Sequence, residues 1–336
     1  MENNIDLNVY FCFVNRPCTG GDFVNLDHVR TLRKLGINAS ILLAGNQSEE
    51  IVNSFGSLPV VILNEEIEFS SQDIFIVPEV MQVLYDLASK MTVFPRMIMH
   101  NQNPFYTGYG FLSAQHINEH RLERIIVPSS YTKYKLQEIG VTKPIDIIHP
   151  YIPDYFKPTE KQREVIQIAF SRRKRSAEFD IFKFYFLSLY SHKHSVNFVN
   201  IQGLTREEVA KVMSEAAIFI SFSERESLGL MALEAMASGC HVIGFSGYTD
   251  IYNNEVIDDS VGDWIGEGEY TLFAQKVCQA IDDFVNEKMN PKIENGLRLI
   301  EQRFRIRHFE QGVKRVYGNI FDYDLENSRS HHHHHH

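Results

Sequence analysis

From Asn8 onward the chain alternates short apolar runs with longer segments in which apolar residues recur every three or four positions. Asn8 to Val14, Ile37 to Leu43, Val60 to Leu63, Asp73 to Val77, Arg96 to Met99, Arg124 to Val127 and Asp146 to Ile148 are compact runs, which reads as strands buried on both faces. Between the first two, Val24, Val29, Leu32 and Leu35 share one helical stripe that closes at Gly36, a strand–helix–strand opening. The loop Asn15 to Asp22 would join that first strand to its helix. The pattern restarts at Val165 to Phe170 and continues with strands at Asn197 to Ile201, Ala217 to Phe222 and His241 to Phe245. Helices are predicted over Ala177 to Tyr190, Thr205 to Glu215, Leu230 to Ser238, Tyr270 to Glu287 and roughly Arg305 to Ile320. Thr205 with Glu208 three positions on is a capping-box pattern, and Gly239 suits the end of its helix. Regular strand–helix alternation predicts an α/β protein with doubly wound parallel sheets.

The stretch Tyr151-Ile152-Pro153-Asp154-Tyr155-Phe156-Lys157-Pro158 is rich in proline and aromatics and divides the two halves. The expected domains are residues 1–152 and 153–305, followed by a terminal helix over 306–327; residues 328–336 read as a linker and His-tag. Composition leaves this picture in place: 44% hydrophobic and 23% charged residues suit two full cores. No apolar run approaches the roughly 18 residues of a membrane span, and no signal peptide is expected. The four cysteines, Cys12, Cys18, Cys240 and Cys278, lack metal-type spacing and read as thiols of a reducing cytoplasm. A net charge of −10 argues against nucleic acid as a partner and makes local basic clusters conspicuous.

Chemistry concentrates after the strand at Ala217 to Phe222. Glu226 and Glu234 stand eight positions apart around Ser227-Leu228-Gly229-Leu230. Strand, tight loop, helix is where an open α/β sheet binds its ligand. The amides of Leu228, Gly229 and Leu230, at a helix N-terminus, suit an anion such as a diphosphate. The two carboxylates are acceptors, fitted to sugar and ribose hydroxyls.

The run Glu226-Ser227-Leu228-Gly229-Leu230-Met231, Leu233-Glu234-Ala235-Met236-Ala237, Ser238-Gly239-Cys240-His241-Val242 resembles the E-x7-E signature of retaining GT-B glycosyltransferases of family GT4, with rhamnosyltransferase-like relatives. The resemblance implies two Rossmann-like domains facing across a cleft, with acceptor bound by the first and nucleotide-sugar donor by the second. It also implies that the terminal helix can cross back to the first domain. Glu226 would bind the donor sugar and Glu234 the ribose.

Matching Arg172-Arg173-Lys174-Arg175 to the family's Pro-Arg-Lys-Arg puts Arg173 and Lys174 on the pair that holds the donor diphosphate; Arg172 stands where proline is common. Met97 to Tyr106 ends a first-domain strand in His100-Asn101-Gln102-Asn103, where both His100 and Gln102 are candidates to face the transferred sugar and Asn103 lies alongside. Gly20 and Gly21 would let the chain approach acceptor and donor sugars, and Glu79 resembles a Pro-Glu pair of those relatives. Ser130 and Thr132 are helix caps or ligands, Gly247 to Thr249 a turn or a donor contact, and Ile201-Gln202 end the strand where relatives place the base. Asp322-Tyr323-Asp324 has the spacing of a metal–nucleotide motif but lies beyond both domains and reads as coincidence.

The expectation is therefore a retaining hexosyl- or deoxyhexosyl-transferase acting from a nucleotide-diphosphate sugar on a glycan or glycolipid, in polysaccharide or lipopolysaccharide-type synthesis, without metal or other cofactor. The expected location is the cytoplasm, or the inner face of the membrane through a weak peripheral contact near Lys133, Lys135 and Lys143, for which a solvated face is the simpler reading. An epimerase lacks the glutamate run and a phosphorylase needs a longer chain. The rival from another class is a non-catalytic nucleotide-sugar-binding partner subunit of a transferase complex.

Overall fold

The computed structural model describes residues 6–16, 18–44, 49–64, 67–250 and 254–326; the expected linker and tag at 328–336 lie outside them. Two compact units emerge, one up to Pro150 and again from Phe309, the other Tyr151–His308.

The first unit holds β1 (Asn8–Cys12), α1 (Gly20–Lys34), β2 (Asn38–Ala44), α2 (Glu49–Asn53), β3 (Val60–Leu63), β4 (Ile74–Pro78), α3 (Gln82–Lys90), β5 (Arg96–His100), α4 (Ala114–Glu119), β6 (Arg124–Val127), α5 (Ser130–Glu138) and β7 (Ile145–Ile147). Its strands form one seven-stranded sheet in the order β3-β2-β1-β4-β5-β6-β7. Every pairing is parallel. The chain winds outward from β1 in both directions, so the loops after β1 and β4 part company at a topological switch point.

The second unit holds β8 (Val165–Phe170), α6 (Glu178–Leu189), β9 (Ser195–Asn200), α7 (Arg206–Glu215), β10 (Ala216–Ser223), α8 (Leu230–Ala237), β11 (His241–Ser246), β12 (Asp263–Trp264), α9 (Tyr270–Val285) and α10 (Pro291–Arg303). The sheet order β12-β11-β10-β8-β9 puts its switch point between β8 and β10. Period-two alternation divides the strands between two cores. Ile166, Ile168, Phe170, Ile218, Ile220 and Phe222 face Phe182 and Phe186 of α6 and Phe273 and Val277 of α9. Ala169, Phe219 and Val242 face Met213 of α7, Leu233 of α8 and Ile300 of α10. The last helix, α11 (Ile306–Phe321), packs from Phe309 on within the first unit, where the Tyr317 hydroxyl meets His28 Nδ1 at 2.7 Å.

Several local expectations change. Gly20 and Gly21 lie in the first turn of α1 rather than in its preceding loop. Asp22 accepts from the Thr19 amide at 2.8 Å, and a capping box of Thr19 and Asp22 starts the helix earlier than the apolar stripe alone indicates. At α5 the cap is Ser129, whose hydroxyl accepts from the Thr132 amide at 3.2 Å; Ser130 and Thr132 are not N-caps. The short β12 and the helix α10 escape the periodicity reading, although Asn290-Pro291 is an N-cap followed by proline at the first helical position.

Candidate functional site

At the second unit's switch point, the loops leaving β8 and β10 bring opposite charges together. Lys174 Nζ lies 2.5 Å from Glu226 Oε1 and donates to the Glu224 carbonyl at 3.2 Å. The Glu226 amide donates to the Gly247 carbonyl at 3.0 Å. Gly247 sits at φ 81°, and a Cβ there would fall 2.5 Å from Glu226 Cγ, so glycine is required both by the backbone and by the approach. Arg225, with φ 48°, holds a left-handed backbone in the same loop, a strain of the kind that collects at functional loops.

The run of four cations is divided in role. Arg172 makes a bidentate pair with Asp180 at 2.9 and 3.0 Å and lies over Phe170 and Phe179. Arg175 pairs with Glu267, donates to the Ser223 carbonyl at 3.1 Å and covers Phe245. The outer pair braces the loop, leaving Lys174 on Glu226 and Arg173 exposed at the surface.

The helix α8 opens at Gly229 in the left-handed region, φ 83°, which aims the first-turn amides out of the helix end where they have no intrahelical partner. The one carboxylate on this helix is deeply set: Glu234 is 7% exposed. Burial raises its pKa, opposed by Arg206 and then by Arg173. Arg206 Nε contacts Glu234 Oε2 at 3.0 Å and its guanidinium lies 5.7 Å from the Phe156 ring centroid. Sequence reasoning misses Arg206, which opens the capped helix α7; its placement after Thr205 is the one available signal. Ile201 is buried in the core among Leu228 and Leu233, whereas Gln202 is exposed and accepts from Asn200 Nδ2 at 2.9 Å.

In the first unit the first turn of α1 and the loops after β4 and β5 converge. Gln102 Nε2 donates to the Gly21 carbonyl at 2.7 Å, and a Cβ on Gly21 would press on that amide at 3.3 Å. The Glu79 carboxylate accepts from the amides of Gln102 and Asn103, the latter at 3.0 Å. Burial pushes the Glu79 carboxyl up to about 7 against the pull of those amides. With its amide turned to satisfy its neighbours, Asn101 donates to Glu79 at 2.7 Å. Gly21, Glu79, Gln102 and Asn103 thus form one group at the carboxyl ends of the strands, with Gly20 beside Gly21 in the helix's first turn.

His100 points elsewhere. It is 1% exposed, with Nδ1 2.7 Å from Asn25 Oδ1, and burial lowers its pKa to about 3. Its ring stands 4.7 Å from that of His28 and its Nε2 has no partner among the described residues. Among the described residues no group of three or more His, Cys, Asp or Glu could hold a metal ion, and no helix is long and apolar enough to cross a membrane.

A family model described as Glycosyl transferases group 1 matches residues 186–283. An alpha-1,6-glucosyltransferase of Actinobacillus pleuropneumoniae serotype 7 (strain AP76) is 98% identical over 330 residues, covering 98% of this chain and all of that protein. Among solved structures, Anabaena HepE in complex with UDP and glucose superposes with a TM-score of 0.69 at 12% identity, over 93% of this chain and 99% of its own. The lipopolysaccharide outer core galactosyltransferase WaaB, in its apo form, gives 0.66 at 12% identity over 94% and 99%.

Proposed function

The chain belongs to the glycosyltransferases, on the GT-B fold, and we propose that the sugar it takes from its nucleotide donor is glucose, delivered in α linkage to the 6-hydroxyl of a glycan acceptor. The 98% identical glucosyltransferase supports the sugar and the linkage. Nucleotide-diphosphate glucose carries its sugar in α configuration, so an α product means retention, in keeping with the E-x7-E run of family GT4. Lys174 and the exposed Arg173, with the open end of α8, would take the donor diphosphate. Glu226 would accept from the glucose hydroxyls and Glu234 from the ribose.

The contact that carries this assignment is Lys174 on Glu226 at the switch point, 2.5 Å apart. A cation there faces the bridge oxygen on which negative charge develops, and a carboxylate beside it faces the sugar ring on which positive charge develops. The bond from the anomeric carbon to the donor phosphate oxygen breaks and one to the acceptor oxygen forms. The acceptor proton passes to the departing diphosphate, and no metal is invoked. The first unit would present the acceptor on Gly20, Gly21, Glu79, Gln102 and Asn103.

Calorimetry and thermal shift with UDP-, GDP-, dTDP- and ADP-glucose test the donor site. One of these should stabilise the protein, by about 4 kcal/mol when the ligand is a thousandfold above its Kd. Lys174→Ala should weaken that binding by roughly tenfold or more, the scale of a lost charge-assisted contact. Absence of binding across the four donors, from folded protein, would refute the donor site.

A further inference from the structure

The helix α6 is apolar on two sides. Phe179, Phe182 and Phe186 turn into the core, while Ile181, Phe184, Tyr185 and Leu189 face outward, spaced i, i+3, i+4 and i+8 with Ser188 between. Phe184 is 70% exposed, Leu189 46%, Ile181 40% and Tyr185 36%. With Leu187 beside it, also 46% exposed, the surface offers on the order of 400 Å² of apolar side chain, the size of the patches that mark interaction sites on soluble proteins. Phe184 and Tyr185 pack edge to face at 5.7 Å, and Tyr185 stacks on Tyr270 of α9 at 5.6 Å, so the surface is held in shape by the fold beneath it.

We propose that this face of α6 joins two copies of the chain in an antiparallel helix pair centred on Tyr185. The outward stripe is symmetric about that position: Ile181 lies four residues before it and Leu189 four after. A twofold axis through Tyr185 therefore sets Ile181 of each copy against Leu189 of the other, as an isologous interface requires. Phe184 fills the space beside the axis. The patch has the area of an interface core, around which a polar rim completes the roughly 800 Å² per partner of a stable pair.

The charges select this occupant over a lipid surface. Amphipathic helices that lie on membranes carry a basic face. Here α6 carries one lysine, Lys183, and two acids, Glu178 and Asp180, which pair with Arg175 and Arg172 of the preceding loop, so the helix has close to balanced charge rather than a basic face. Such a helix gains little from an anionic bilayer, whereas its apolar stripe matches its own copy.

Sedimentation velocity at about 50 μM, where an interface of micromolar Kd is filled, gives the test. The full chain should sediment with twice the monomer mass and Phe184→Asp as a monomer with an unchanged circular dichroism spectrum. Tyr185→Cys, on a background with Cys18 and Cys278 replaced by serine, should cross-link through the axis under mild oxidation. A wild-type monomer at that concentration, a dimer that survives Phe184→Asp, or a Tyr185→Cys variant that stays uncross-linked while dimeric would each overturn the assignment. Co-sedimentation of wild type with phosphatidylglycerol vesicles, lost in Phe184→Asp without any dimer, would give the face to a membrane instead.

Discussion

Glu234 has exchanged water for the Arg206 guanidinium, with Arg173 adding its charge, and the role proposed for it on the ribose depends on that exchange. A buried carboxylate protonates unless a cation or donor sustains its charge, and the charged form is the better acceptor for ribose hydroxyls. Arg206→Ala should therefore weaken binding of a ribonucleoside diphosphate about tenfold, the effect of one charge-assisted hydrogen bond, and leave the 2′,3′-dideoxy analogue unchanged. Equal losses for both nucleotides in calorimetry would rule out this role. Arg206 is not legible in the sequence because it lies 28 positions from its partner, on another helix, and only packing joins them. Lys174 and Glu226 are 52 positions apart, yet both can be placed, since each follows a strand that ends at the same edge. For His100 the sequence leaves two readings, a structural residue or one facing the sugar, and the side chain turns inward to Asn25. Glu79, whose carboxyl is pushed up to about 7, gives a pH signature. Its folded pKa lies above the unfolded value, so the folded state binds the extra proton. The associated stability is present below the ordinary carboxylate range and is lost as pH rises through about 7. Glu79→Gln keeps an acceptor for the two amides without the charge, so relative to wild type it should gain more stability at pH 8 than at pH 5 in urea unfolding. A difference that is flat with pH would contradict the assignment.

At the scale of elements, the buried strands and capped helices are read correctly from apolar runs, because a strand covered on both faces has little choice of register and Thr205 with Glu208 marks its helix start. The misses have physical reasons too. The two residues of β12 carry no periodicity, and α1 begins on two glycines because Thr19 and Asp22 supply the cap that the glycines cannot. The α6 helix is apolar on two sides, and sequence cannot say which of them is buried. Phe182 is fully buried between β10 and α9, near Phe222 and Phe273. Phe182→Ala should destabilise the second unit by about 3–5 kcal/mol. Measured well below any dimer concentration, Phe184→Ala should change unfolding by less than about 0.5 kcal/mol, as for surface positions. Similar losses at the two positions would show that the outward face of α6 is covered within the monomer.

For the whole molecule, the α/β class and the parallel double winding follow from strand–helix alternation, and the GT-B assignment from the run around Glu226. The sugar and linkage proposed are of another kind: such specificity depends on a few side chains and loop shapes, and the proposal is supported by the identity to a glucosyltransferase rather than by any motif. Transfer itself is the most direct test of the proposed activity. Incubating the protein with nucleotide-diphosphate glucose and a glucosyl acceptor, and following the new anomeric proton by NMR, reads donor, linkage and stereochemistry together. We predict an α-anomeric signal coupled to a 6-carbon, abolished by Lys174→Ala and by Glu226→Gln. A β signal, a bond to another carbon, or full transfer in both variants would contradict the account.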